Sequence, residues 1–236
     1  MNRQQKEKGQ SVRRRTISEK RWPDTPEFNS ALRKLQNNGS VVLLGFVWSG
    51  YDKLTKEVLG QVDWMLDEED LERDITQLLE VRIQECMSGY EPYYVQHGPY
   101  ERETRIGKGQ PPEYDIAFVL RSNERVMWPL EAKVLRTDGS VAEYIKEIRA
   151  NFLTCRYAPF SSEGAMLGYL LTGSAETAFK NIAKKLHCAL DFHSEFQERD
   201  HRISNHKRIV RKGKSYPRDF KCHHVLLRLR MHRSAG

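Results

Sequence analysis

Asp115, Glu131 and Lys133 are the residues whose types and spacing could do chemistry. Glu131 and Lys133 stand two positions apart, and side chains alternate faces along a strand, so both share one face while Leu130, Ala132 and Val134 take the other. Asp115 stands at the mouth of an apolar run, Ile116–Leu120, and Glu131 follows a second run, Val126–Leu130. The two runs are joined by the polar turn Arg121-Ser122-Asn123-Glu124-Arg125, which predicts a β-hairpin with a longer loop. Charges on an otherwise buried strand are costly unless they pair or bind a metal. Two carboxylates and an ammonium fit metal-assisted phosphodiester hydrolysis. Asp115, Glu131 and the carbonyl of Ala132 would supply hard oxygen ligands to Mg²⁺, with Mn²⁺ able to substitute. Lys133 would hold or help deprotonate the attacking water and offset charge on phosphorus. The alternative is an amphipathic hairpin with an ordinary surface Glu and Lys.

The set of Asp115 followed by Glu131-Ala132-Lys133 resembles the PD-(D/E)xK nuclease superfamily, whose motif is an acid, a gap, then Glu-x-Lys on the next strand. The residue before Asp115 is Tyr114 and the proline stands at Pro112, so Glu113 competes with Asp115 as ligand. Asp115 is favoured because it abuts the strand. The resemblance implies an α/β, restriction-endonuclease-like core, a central mixed sheet of four or more strands flanked by helices. It also implies divalent-metal dependence and cleavage of DNA or, less often, RNA. Members commonly place a further acid from a helix beside the metal, which points to Glu72, with Glu69 and Glu80 as alternatives. The helix after the Glu-x-Lys strand is where the superfamily places groups that meet phosphate, here Lys146 and Arg149. Similarity to restriction- and defence-associated members over residues 142–173 implies a role in restriction or anti-phage defence, with a homodimer or a partner subunit.

The elements that must position these residues follow from periodicity. Thr25-Pro26-Glu27 predicts a helix start, with Phe28, Leu32 and Leu35 as its stripe. The continuous apolar run Ser40–Trp48 predicts a strand buried on both faces. Residues from Asp52 to Met87 read as mostly helical, with the acidic Asp67-Glu68-Glu69-Asp70 at the start of a second helix, where the dipole favours negative charge. Glu91–His97 reads as an edge strand entered through Pro92, and Glu101–Ile106 as a further short strand. His97 and Glu103 lie just ahead of the hairpin and could approach a metal. Val141–Tyr157 reads as a helix, Ala165–Leu171 as a core strand, Ala175–Leu190 as a helix, and Lys221–Met231 as an outer strand.

The chain of 236 residues can bury one good core. It divides into a basic arm (1–24), a helix/strand extension packed on the core (25–66), and a nuclease domain with a basic C-terminal region (67–236). No apolar run approaches a membrane span, and no apolar stretch follows the basic N-terminus as in a secretory signal. Four widely spaced cysteines without a CxxC pair suggest a reduced, cytoplasmic protein. Of the +7 net charge, residues 1–34 carry +6, residues 200–236 carry +9 and residues 35–199 carry −8. Basic ends suit a polyanion, whose counterions are released on binding. The region from Arg202 to Arg218 reads as a basic, loop-rich insert that would offer Arg208, Arg211, Lys212 and Lys214 to a nucleic acid, with DNA favoured over RNA. Cys188, His193, Cys222 and His223 admit a zinc reading, at a spacing that fits no common finger.

Overall fold

Apolar positions at helical spacing carry the first described element. Leu43, Leu44, Val47, Trp48, Gly50 and Leu54 recur every three or four residues and are buried along one face of helix α1, Gly39–Glu57. The computed structural model describes residues 25, 26, 30, 39–57, 59, 62–104 and 111–229. The stripe predicted at Phe28, Leu32 and Leu35 lies outside them. The strand expected over Ser40–Trp48 is therefore the middle of a helix. A nine-residue apolar run cannot by itself separate a buried strand from a buried helix, and the continuation through Gly50 and Leu54 decides for the helix.

Helix α2, Glu68–Cys86, begins as expected at the acidic cluster. The Asp67 side chain accepts the Asp70 N–H, and three acids occupy the first turn. Its buried residues Leu71, Ile75, Leu79 and Ile83 face α1. The crossing is close at Gly50, where a Cβ would come within 2.8 Å of Ile83 backbone.

The strands are β1 (Tyr93–His97), β2 (Ile116–Leu120), β3 (Met127–Leu135), β4 (Glu163–Leu170), β5 (Asp191–Phe192), β6 (His201–Lys207) and β7 (Asp219–Arg228). They form a seven-stranded mixed sheet in the order β1-β2-β3-β4-β7-β6-β5. The β2–β3 hairpin is antiparallel, whereas β3, β4 and β7 run parallel. Helix α3, Ala142–Glu147, continues as a π-helical turn over Ile148–Phe152, and α4 spans Ala175–Leu186. Helices α1 and α2 bury one sheet face, against Phe118, Trp128 and Val225, while α3 and α4 bury the other, against Ala117, Val119 and Leu226. The molecule is thus α/β, with the sheet between two helical layers.

Three expectations change. Lys221–Met231 was read as an outer strand, but β7 lies inside the sheet, between β4 and β6. Alternation in that segment is broken by His223-His224-Val225, which are buried on both faces. The region from Arg202 to Arg218 begins as strand β6, which pairs with β7 from His201 to Lys207, and is loop only over residues 208–218. Of the strand expected over Glu101–Ile106, Glu101 to Thr104 are non-strand and the rest lies outside the described residues; pairing there is confined to a single bridge, Tyr100 with Glu113. No helix among the described residues is long and apolar enough to cross a membrane.

Candidate active site

The site forms because β3 outruns β2. Pairing between them begins at Ile116 opposite Leu130, so beyond that point β3 has no strand on this side, although β4 stays paired with it to Leu135. The N–H groups of Ala132 and Val134 would otherwise be orphaned. Carboxylates take both. Asp115 Oδ2 accepts the Ala132 N–H at 2.6 Å, and Glu72 Oε2 accepts the Val134 N–H at 3.1 Å. A gap in the sheet edge thus draws in one acid from the strand entrance and one from α2.

Lys133 fills the centre of this gap. Its Nζ donates to the Ala132 carbonyl at 2.6 Å, to Glu72 Oε1 at 2.8 Å and to Glu131 Oε1 at 3.4 Å, and lies 3.9 Å from Asp115 Oδ2. Burial alone would lower the lysine pKa, but the carboxylates of Glu131, Asp115 and Glu72 together outweigh it and raise it. Lys133 is therefore an ammonium ion. Glu131 is the most enclosed member, its side chain only 6% exposed. Burial pushes its carboxyl well above the usual range, Asp115 adds to the rise, and Lys133 opposes it. Its Oε2 is buried with no hydrogen-bond partner among the described residues. Glu72 is also raised, by burial first, with Lys133 pulling it down. Three carboxylates face one ammonium, so the pocket lacks positive charge.

The structure brings Asp115, Glu131, Lys133, the Ala132 carbonyl and Glu72 together. Glu69 is exposed and pairs with Arg73 at 3.1 Å, while Glu80 lies elsewhere on α2 and is raised by its own burial. Glu69, Glu113 and His97 line a cleft of about 280 Å³ that also reaches Glu72, Thr76 and Asp115, and so stand at its walls. Glu103 belongs to a separate network, with Arg125 at 3.4 Å and Lys214 at 2.9 Å, and does not approach the pocket.

The phosphate-contact candidates divide. Lys146 is exposed and pairs with Glu143 at 2.6 Å, and the charge of Lys133 reaches it weakly. Arg149 is turned to the end of α4, where it donates to the Lys185 carbonyl, a favourable place for a cation at a helix C-terminus. Arg211 and Lys212 are exposed. Arg208 is a correction. It is buried and donates to the carbonyls of Phe152, Tyr157, Ala158 and Ser161, while its guanidinium lies 4.4 Å from the Phe220 ring centre. Five donors in a fixed fork make arginine the residue that can satisfy such a loop. It is part of the fold and offers nothing to a ligand.

Two site residues escaped the sequence reading. Glu147, on α3, adds to the rise at Glu131 and accepts from Asn151 one turn on. Tyr157 is raised by burial and by the negative charge of Glu131, and donates to the Glu113 carbonyl at 2.7 Å. Both stand outside the Glu-x-Lys pattern, and only their place after the β3 strand could have drawn attention.

A second buried polar cluster lies toward the other edge of the sheet. The zinc set read from Cys188, His193, Cys222 and His223 does not assemble. Cys222 packs on the α3–α4 face while His223, its neighbour in β7, lies 5.9 Å from Trp128 on the opposite one. His193 and His223 instead gather with His201.

No protein-family model, curated protein or solved structure matches the chain.

Proposed function

We propose that the protein is a metal-dependent nuclease with a restriction-endonuclease-like core, and that its most fitting task is DNA endonuclease in restriction or anti-phage defence. The observation that carries this reading is the single pocket holding Asp115, Glu131, Glu72, the Ala132 carbonyl and the Lys133 ammonium. The resemblance of Asp115…Glu131-Ala132-Lys133 to the PD-(D/E)xK pattern supports it.

A divalent cation fits these residues. The buried Glu131 Oε2 has no partner among the described residues, and the ligand atoms gathered here are hard oxygens, the set that suits Mg²⁺ or Mn²⁺. Asp115, Glu131 and the Ala132 carbonyl would hold it, and when bound it supplies Lewis acidity toward a phosphate oxygen. The chain's own groups do the rest. Lys133 already donates to the Ala132 carbonyl and has Glu72 as a second anchor, so it can release the carbonyl without leaving the pocket. From there it orients the attacking water and offsets negative charge growing on the phosphoryl oxygens. Glu72 keeps Lys133 protonated and in place. Lys146, Arg211 and Lys212 remain exposed for the phosphate backbone, where each contact adds affinity without reading sequence.

The test is nicking of plasmid DNA, and of RNA in parallel, with Mg²⁺, Mn²⁺ or EDTA. Metal-dependent cutting by the parent chain, lost in Asp115→Ala and in Lys133→Ala, is the expected result. Binding without cutting under any metal would overturn the enzymatic reading in favour of a nucleic-acid-binding subunit. Preferential cutting of RNA would move the assignment to a toxin-type ribonuclease.

A further inference from the structure

We infer that the protein holds a second, chemically different metal ion, a zinc-class cation bound by His193, His201 and His223. One nitrogen from each ring can be chosen so that all three lie within 4.8 Å of one another, and all three residues are buried. They come from separate places in the chain. His201 opens β6 and His223 sits in β7. Pairing of His201 with Val225 and of Ile203 with His223 puts the two rings diagonally on one sheet face. His193 is brought over them by the connection from β5, its ring stacked 4.7 Å from that of His201.

The hydrogen bonds assign the ring nitrogens of His223 and His201. His193 Nδ1, by contrast, accepts the Glu195 N–H at 3.2 Å and must give up that bond for that nitrogen to take a metal. His223 Nε2 lies 3.4 Å from Glu163 Oε2, and Glu163 also accepts from Lys221 at 2.7 Å. Facing a carboxylate, His223 Nε2 carries the hydrogen, so the Nδ1 lone pair points at His201 Nε2, 3.2 Å away. Two nitrogens bound to one tetrahedral zinc at about 2.0–2.1 Å lie roughly 3.4 Å apart, close to this separation. An ion here takes the place of the hydrogen shared by the two rings. Glu163 then plays the outer part in a carboxylate–histidine–metal arrangement, fixing the tautomer of the ligating ring.

Unmet polar groups point the same way. His201 is fully buried, and its Nδ1 has no partner among the described residues. The indoles of Trp48 and Trp128, whose rings stand 6.3 and 5.9 Å from His201 and His223, also bury their N–H groups without one. The indole N–H groups are donors and cannot meet a cation themselves; a water held in the ion's fourth position would be an acceptor for such groups. Imidazole favours zinc and its neighbours over magnesium, which keeps this centre distinct from the oxygen pocket. Three nitrogens leave a fourth position for water.

The experiment loads the full chain with Zn²⁺, desalts it and measures bound zinc and melting temperature. About one retained equivalent and a raised melting temperature are expected, with Co²⁺ giving the visible bands of a four-coordinate site. His193→Ala, in a connecting segment, and His201→Gln should each lower retention about tenfold or more. Glu131→Gln should retain zinc like the parent. Failure of the parent to retain zinc, or retention equal to the parent's in both histidine variants, overturns the proposal. The parent's measurement decides even if a variant does not fold. Neither result bears on nicking, which is read separately in Mg²⁺.

Discussion

The oxygen pocket at the end of β2 and the imidazole cluster on β6 and β7 are both polar groups sunk into one sheet, yet they solve burial in opposite ways. The pocket keeps its acids, which burial pushes toward their neutral forms while Lys133 opposes the rise. Asp115, Glu131 and Glu72 surround Lys133 at an unpaired sheet edge, one carboxyl oxygen is left unmet among the described residues, and a cleft reaches Asp115 and Glu72. The imidazole cluster has shed its charges. Burial lowers all three histidines, His201 to about 2, so the rings are neutral and held by each other and by Glu163. A buried site with more acids than one ammonium can balance favours a cation that lets them ionise; a neutral one behaves as packing material with lone pairs. The first is built for turnover, the second for holding.

The sharpest way to break this contrast is Glu131→Gln. A direct ligand should matter at least as much as an outer-shell partner, so cutting should fall about a hundredfold or more. The same change removes a desolvated, strongly shifted carboxyl while Lys133 keeps Glu72 and Asp115 beside it. Stability should therefore rise, by about 1 kcal/mol, as activity is lost. Urea denaturation in EDTA measures the first quantity and plasmid nicking the second. A variant that is both active and less stable would mean the pocket is an ordinary ion-pair network.

The imidazole cluster should respond with the opposite sign. His201→Ala removes a fully buried ring packed against His193 and Phe196, at centroid distances of 4.7 and 5.2 Å. The cavity should cost roughly 3 kcal/mol in EDTA, read from the shift in urea midpoint. A loss near zero would mean that the ring is not packed as it is drawn.

The two regions were also unequally legible in the sequence. The hairpin, Asp115, and the Glu131–Lys133 pair could be read because they are local: two apolar runs, a polar turn and a period of two. Glu72 could only be nominated from resemblance, since its contact with Val134 spans 62 positions and depends on where α1 seats α2. The strand misread over Ser40–Trp48 failed because nothing within nine apolar residues encodes period. The imidazole cluster was half visible, in His193 and His223. His201 was missed because its segment is rich in Arg and His and lacks the apolar alternation of a strand, although β6 is held in place by pairing with β7. Arg208 was misjudged for a related reason. A cation in a basic run reads as solvent-facing, and the four carbonyls that bury it belong to a loop some fifty residues earlier.

Glu101 separates burial as such from the chemistry of either site. It is buried beside the strand entrance, accepting from the Tyr114 hydroxyl at 2.7 Å and the Glu103 N–H at 2.7 Å. Burial pushes its carboxyl up to about 7, with the Tyr114 hydrogen bond holding it down in part. Because the folded pKa lies above the unfolded one, the stabilising contribution is fully present below about 4.5 and is lost as pH rises through about 7. Relative to Glu101→Gln, which cannot ionise, the parent should lose roughly 2 kcal/mol between pH 5 and pH 8. The acceptor that glutamine lacks adds an offset independent of pH, so the slope of the difference in urea midpoints carries the result. A flat difference would show that Glu101 stays ionised throughout. The protein would then tolerate buried negative charge without a cation's help, and the surplus charge around Lys133 would no longer single that pocket out.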